Sequence, residues 1–284
     1  GEPESAGFNR EESFPPESNE KNIYGIIPSN RTKPYDMKKI IACLVDKSKF
    51  EEYKKDYGKS IICGYARING WAIGIVANQR EMIKTSRGET QFGGVIYSDS
   101  ADKSARFIAN CNQKKIPLVF LQDVTGFMVG SNAEHGGIIK DGAKMVNAIS
   151  NSVVPKFTII IGNSYGAGNY AMCGKAYDPK LIVAWPTAKI AVMGGEQAAK
   201  VLLEIEKNNI KKEQGVIEKE QEKELLEKIT SSYQKQTSVY YAASNLWIDA
   251  IIDPAETRKI ISIGIEAANH SPITEVYNPG VIQT

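Results

Sequence analysis

Long apolar runs are missing from this sequence of 284 residues. The nearest approach, 153–161, is broken by Pro155 and Lys156, so no segment reads as a bilayer span. The N-terminus is acidic and proline-containing, without the basic-then-apolar layout of a signal peptide. Histidine is scarce: His135 and His270 alone leave a zinc site little to build on. The four cysteines, Cys43, Cys63, Cys111 and Cys173, form no CxxC pair, and a chain of this size needs no disulfide staples. They are expected to be buried, reduced thiols in a cytoplasm-like compartment. Strong charge is absent too, since a formal net charge of +2 offers nothing to nucleic acid or an anionic membrane surface. The chain starts at Gly1 and not at Met, and the expectation is that processing or excision removed the native start.

What remains is an ordinary globular composition, 42% hydrophobic and 24% charged, enough for one large α/β domain or two small ones. Residues 1–35 are polar, carry five prolines and show no sustained period, so they read as an extended N-terminal arm before a single domain over 36–284. A short amphipathic helix is predicted over 37–53. Residues 61–77 alternate around Asn69-Gly70, the strongest short-range hairpin signal, because a type I′ turn needs positive φ at both central positions. Helices are then predicted over 101–115, 137–150 and 196–208, with another starting at 168. Strands of about five residues are predicted at 117–122, 156–161, 181–184 and 189–192. Strands that alternate with helices indicate layered α/β. The Glu- and Lys-dense stretch 211–235 reads as part of a helical protrusion over about 205–235, a helical pair broken near Gly215, and 254–269 as a closing amphipathic helix.

The informative chemistry sits where strands end. Three strand-to-helix junctions are glycine-rich: Gly126-Phe127, Gly166-Ala167-Gly168, and Gly194-Gly195-Glu196. Glycine lets the backbone turn sharply and lets a ligand approach the main chain. The first amides of each following helix lack intrahelical partners and point outward as donors. Any one such junction is an ordinary tight turn; three at the same ends of neighbouring strands point to a site. The turns contain no GxxxxGKS/T and no GxGxxG with an acidic partner, so nucleotide binding has no support. No pair of carboxylates stands out either. A site built chiefly from backbone amides suits an enolate-forming reaction on a thioester.

The same residues hold a rival reading. Gly162-Asn163-Ser164-Tyr165-Gly166 matches the G-x-S-x-G nucleophile elbow, with Ser164 after a strand. His135-Gly136-Gly137 lies upstream, and Asp249 or Asp253 with His270 completes the order Ser, Asp, His of an α/β-hydrolase. Against it, the motif is short, and both histidines have simpler places at helix ends.

At these junctions the sequence resembles a known family. PLVFLQDVTGFMVGSNAEHGG, IGNSYGAGNYAMCGKAYDP and AWPTAKIAVMGGEQAAKVL are similar to the C-terminal half of biotin-dependent acyl-CoA carboxylase carboxyltransferase (β) subunits. GYARINGWAIGIVAN, GGVIYSDSADKSARFI and LWIDAIIDPAETRKII extend the likeness over roughly residues 23–270. FMVG, GAGNYAMCG and VMGGEQAA resemble the methylcrotonyl-CoA and geranyl-CoA branch; propionyl- and acetyl-CoA members typically carry a GGAYDVM-like turn there. The resemblance implies a crotonase-like (ClpP/crotonase) fold of repeated ββα units and transfer of a carboxyl group from carboxybiotin to an acyl-CoA. It implies that Ala167 and Gly168 are backbone oxyanion donors, and that Gly126, Phe127 and Gly166 form the biotin pocket. Gly194, Gly195 and Glu196 would shape its adjacent wall. It further implies an N-terminal carboxyltransferase half that holds the acyl-CoA, a biotin carboxylase and biotin carrier partner, a homo-oligomer, and a bacterial cytoplasmic or mitochondrial matrix location. Two readings stay open beside it. One is a biotin-independent enoyl-CoA hydratase or isomerase with Glu134 or Glu196 in the pocket, the other a non-catalytic half that only completes a partner's site.

Overall fold

The computed structural model describes residues 4–30, 33–85, 88–214 and 219–282, apart from the side chains of Glu196, residues 211–214 and Lys219. The elements begin with α1 (Ile23–Ile26), α2 (Met37–Leu44), β1 (Phe50–Glu52), β2 (Ile61–Ile68) and β3 (Trp71–Asn78). The short strands β4 (Ile83–Lys84), β5 (Thr90–Gln91) and β6 (Val95–Ile96) lead into α3 (Ser98–Gln113). Next come β7 (Leu118–Val124), β8 (Gly126–Phe127), α4 (Ser131–His135), α5 (Ile138–Ser150), β9 (Lys156–Tyr165) and α6 (Gly166–Ala171). The last third holds β10 (Leu181–Ala184), β11 (Lys189–Ala191), α7 (Gly195–Gln214), α8 (Lys219–Gln236), α9 (Val239–Ser244), β12 (Ala250–Ile251) and α10 (Thr257–Asn269).

The main sheet runs β1-β2-β3-β7-β9-β10-β12, antiparallel through β3 and parallel from there on. β11 pairs with the far end of β9, beyond the stretch that β10 occupies. Successive strand residues point to opposite faces, and the core divides accordingly. Ile62, Ile73, Ile75, Val119, Leu121, Phe157 and Ile159 pack with Ile40, Ile41 and Leu44 of α2 and with Ile261 and Ile265 of α10. Ile61, Cys63, Val76, Leu118 and Phe120 pack on the other face with Phe107 and Ile108 of α3 and Met145 and Ile149 of α5. A smaller cluster under α9 gathers Ile160, Ile182, Ile190, Val239 and Ile248. All four cysteines are buried thiols, and burial pushes Cys63 up to about 11 and Cys173 up to about 12.

The hairpin forms as the Asn69-Gly70 signal demands. Both residues take positive φ, 52° and 83°, and Ile68 faces Trp71 across the turn. The turn is held from outside by Asp46, whose carboxylate accepts from the amides of Asn69 (2.8 Å) and Gly70 (2.8 Å). Arg258 of α10 donates to the same carboxylate at 2.7 Å. Residues 4–30 are largely irregular, yet Phe8 and Ile23 are buried, and the Ala6 amide bonds Asn269 O at the end of α10 (2.9 Å).

Three expectations need correction. The helix predicted over 37–53 ends at Leu44, because Val45 turns extended and Asp46–Ser48 forms a single 3-10 turn. The chain can then reach the sheet, where Phe50 pairs with Ala66. The strands predicted at 117–122 and 156–161 run on to Val124 and Tyr165, because polar residues at their ends stay in the sheet. The helix placed at 196–208 continues to Gln214. It packs along α8, with Lys207 Nζ bonded to Glu222 Oε1 at 2.8 Å; the break placed near Gly215 lies outside the described residues.

Asp46 is one carboxylate shared by the hairpin, the N-terminal segment and α10. Its replacement by alanine leaves Arg258, a mostly buried cation, without its closest anion. Asp46→Ala is expected to cost about 3 kcal/mol, read as a lower midpoint of chemical unfolding.

Candidate functional site

The three glycine junctions follow β7, β9 and β11, and the fold packs them against one another. Gly168 in the first turn of α6 lies flat on the first junction. A Cβ there would stand 2.7 Å from Val124 Cγ2 and 3.1 Å from Gly126 Cα. Gly166, at φ +50°, lies as closely on the third junction, since a Cβ would stand 2.7 Å from Val192 O. Only hydrogen side chains permit these approaches. Gly126 itself turns at φ +143° with nothing within 4 Å of the position a Cβ would take, so that side of the junction is open. Phe127 is half-buried and its ring covers Gly142 of α5, where a Cβ would be 2.9 Å from Phe127 Cε1.

α6 begins without a side-chain cap from Tyr165. Its first amides, from Gly166 through Gly168, precede the first i→i−4 bond and carry the positive end of the helix dipole. Ala167 is exposed and Gly168 is buried against Gly126. The third junction is tied down from α8, where Tyr233 donates to Met193 O at 2.7 Å. Gly194 lies beside the Tyr165 ring, and Gly195 opens α7 beside Tyr233. The backbone of Glu196 is in the first turn of α7, and its side chain lies outside the described residues.

Behind the glycines is a belt of buried polar side chains that the sequence reading missed. Asn169 Nδ2 donates to Ser164 Oγ at 2.7 Å, and Ser164 Oγ donates to Gln122 Oε1 at 2.7 Å. Gln122 Nε2 donates on to Met172 O at 2.6 Å, so the middle and the C-terminal end of α6 are fastened to β9 and β7. Beside it, Asp123 accepts from the Asn163 amide (2.8 Å) and from Tyr35 OH (2.7 Å). The signal was present: Asn78-Gln79-Arg80, Gln122-Asp123 and Asn163-Ser164 each follow an apolar strand run at the same end of the sheet.

This belt overturns the hydrolase reading. Ser164 is fully buried and its hydroxyl is spent between Gln122 and Asn169, with no histidine among its partners. His135 and His270 are exposed at the ends of α4 and α10. Asp249 pairs with Lys175 and Asp253 caps the turn that precedes α10. Glu134, considered for the hydratase reading, is exposed on α4. A fluorophosphonate probe is therefore expected to leave Ser164 unlabelled in the native protein, as checked by peptide mass spectrometry; stoichiometric labelling would restore the elbow.

Comparison with known proteins agrees with this geometry. Residues 3–280 match the carboxyl transferase domain model. The mitochondrial methylcrotonoyl-CoA carboxylase beta chain of Dictyostelium discoideum is 47% identical over 251 residues, covering 88% of this chain and 40% of that one. The biotin-dependent 3-methylcrotonyl-coenzyme A carboxylase beta1 subunit of Mycobacterium tuberculosis is 41% identical over 273 residues, 96% of this chain and 49% of that one. Among solved structures, the beta subunit of P. aeruginosa geranyl-CoA carboxylase superposes with a TM-score of 0.79 at 34% identity, covering 97% of this chain and 50% of that one. Transcarboxylase 12S, crystallised as a hexamer assembly with methylmalonyl-coenzyme A bound, gives 0.83 at 32% identity, covering 100% and 51%. The fold is thus the crotonase-like one, and the chain spans about half or less of the length of these relatives. The chain belongs to the carboxyl transferase domain family.

Proposed function

We propose that this chain is the biotin-side half of an acyl-CoA carboxyltransferase, with carboxybiotin delivered by a carrier partner and a 3-methylcrotonyl-CoA-like acceptor. The observation that carries the reading is the backbone contact between Gly168 and Gly126 beside the uncapped start of α6. It sets the first amides of α6 beside Gly126, whose outer side is open. That donor set fits a ureido carbonyl, a neutral planar acceptor that gains negative charge as its carboxyl group leaves. When bound, carboxybiotin supplies the activated carboxyl group.

The residues of this chain would bind and orient. The Ala167 and Gly168 amides hold the ureido oxygen and the charge that develops on it, an effect worth ~2.7–4 kcal/mol per preorganised donor. Gly126, Phe127 and Gly166 give the pocket its floor, with Phe127 supplying apolar surface. Gly194, Gly195 and Glu196 form the adjacent wall. No side chain is assigned as a general base. The acyl-CoA thioester would be held by an N-terminal carboxyltransferase half, consistent with relatives about twice as long as this chain. A biotin carboxylase, a biotin carrier and a homo-oligomeric assembly complete the proposal. Relatives named as mitochondrial chains, together with a bacterial one, support a mitochondrial matrix or bacterial cytoplasmic setting.

The test is an assay with carboxybiotin and a panel of acyl-CoAs, this chain being supplied alone and together with a complementing N-terminal half. Carboxylated 3-methylcrotonyl-CoA is expected only with both halves. Robust turnover by the isolated chain, or hydration of crotonyl-CoA without biotin, would refute the assignment. In the complete enzyme Gly168→Ala is expected to lower kcat about 10²-fold, because its Cβ forces the α6 amides away from Val124 and Gly126. Circular dichroism of the variant should match the parent.

A further inference from the structure

We infer that Asp123 is the positioning residue of this site: its buried carboxylate sets the first two glycine junctions at their mutual distance. The inference rests on the carboxyltransferase reading above. The bond of Asp123 to the Asn163 amide acts on the backbone that leads to Ala167 and Gly168.

Asp123 is 1% exposed and stands where the pairing of β7 with β9 slips. Gln122 faces Ile160, but Val124 faces Ser164, so the two strands lose step across this residue. Such irregularities bend a strand and re-aim the side chains beyond the bend. Here the Asp123 carboxylate reaches across the irregularity. One carboxylate oxygen accepts from the Asn163 amide at 2.8 Å, three residues before Gly166. The other accepts from Tyr35 OH at 2.7 Å and lies 3.4 Å from Arg80 Nε. The Asp123 amide in turn donates to Asn78 Oδ1 of β3 at 3.1 Å.

Arg80 carries the restraint around the outside of the first junction. Its Nη1 donates to Gly93 O at 3.2 Å, and it lies so close to Gly94 that a Cβ there would collide with it. Gly94 O then accepts from the Thr125 amide at 2.8 Å, and β6 pairs with β8 across Gly126 and Phe127. The path from Asp123 thus reaches Gly126 twice, once along β7 and once through Arg80 and the 93–94 segment. It reaches Gly166 through Asn163. A neutral side chain at 123 would leave Arg80 as an uncompensated, nearly buried cation at the centre of this frame.

The test uses the complete enzyme, with Asp123→Asn as the main variant and Tyr35→Phe as the milder one. Tyr35→Phe removes a single donor and leaves Asn163 and Arg80 in place. Two readouts are taken: the Kd for free biotin by equilibrium dialysis, and kcat with separate KM values for biotin and acyl-CoA. For Asp123→Asn the biotin Kd and KM are expected to rise about tenfold and kcat to fall about 10²-fold, with the acyl-CoA KM unmoved. Tyr35→Phe is expected to shift the same quantities in the same directions, by about threefold. Loss of folded protein lowers the rate but moves no Kd or KM, so the biotin-specific shift separates positioning from stability. If Asp123→Asn does not fold, Tyr35→Phe decides. Folded variants with the parent's biotin Kd and KM would overturn the inference and leave the transferase reading standing. A parent enzyme that neither binds biotin nor transfers a carboxyl group would overturn both.

Discussion

A carboxylate shut away from water must be paired, and the pairing of Asp123 is the constraint on which this end of the molecule depends. The central strands are apolar along most of their length and turn polar where β3, β7 and β9 end. There the side chains of Asn78, Gln122, Asp123, Asn163 and Ser164 replace the alternating aliphatics. Unpaired, each would cost more than it could return. They pair with one another, with Tyr35 and with backbone groups, and among them Asn78 Nδ2 alone is a buried donor without a partner. The site is built on that rigid floor.

What stands on the floor is nearly all main chain. Gly168 against Gly126 and Gly166 against Val192 are contacts of the backbone with its neighbours, closer than any larger residue allows. The amides of α6 are consequently backbone groups, held by the packing of three turns and by the buried side chains behind them. Preorganised donors of this kind lose nothing in reorientation when charge develops in front of them, which is the condition for strong electrostatic stabilisation. A flexible amide or hydroxyl in the same place would have to be ordered first.

Sequence reading was most reliable where the signal is local. Asn69-Gly70 announced its hairpin, and apolar periodicity announced α5, α10 and the strands that follow Pro117 and Pro155. It failed where a tertiary partner decides. The 37–53 helix was overextended because nothing local shows that residues 50–52 have a strand to pair with. The predicted strands stop at 122 and 161 because Asp123 and Asn163-Ser164 look like loop residues until their partners are known. The glycine junctions were recognisable individually; that Gly168 rests on Gly126 was not, since the two are far apart along the chain. The family resemblance supplied the crotonase-like fold, whereas the polar belt behind the glycines emerged only from side-chain partners.

The G-x-S-x-G sequence shows how a displacement of two residues reverses the meaning of a motif. In a nucleophile elbow the turn falls at the serine and lifts its hydroxyl out of the sheet. Here β9 runs on through Ser164 and Tyr165, still paired with β11, and the chain turns only at Gly166. Ser164 therefore remains inside, where its hydroxyl fastens Gln122 to Asn169. Past the turn it is Ala167 that is exposed. The strand-turn-helix scaffold is the same in both cases, and the position of the turn within it decides whether the serine side chain leaves the sheet or stays buried in it.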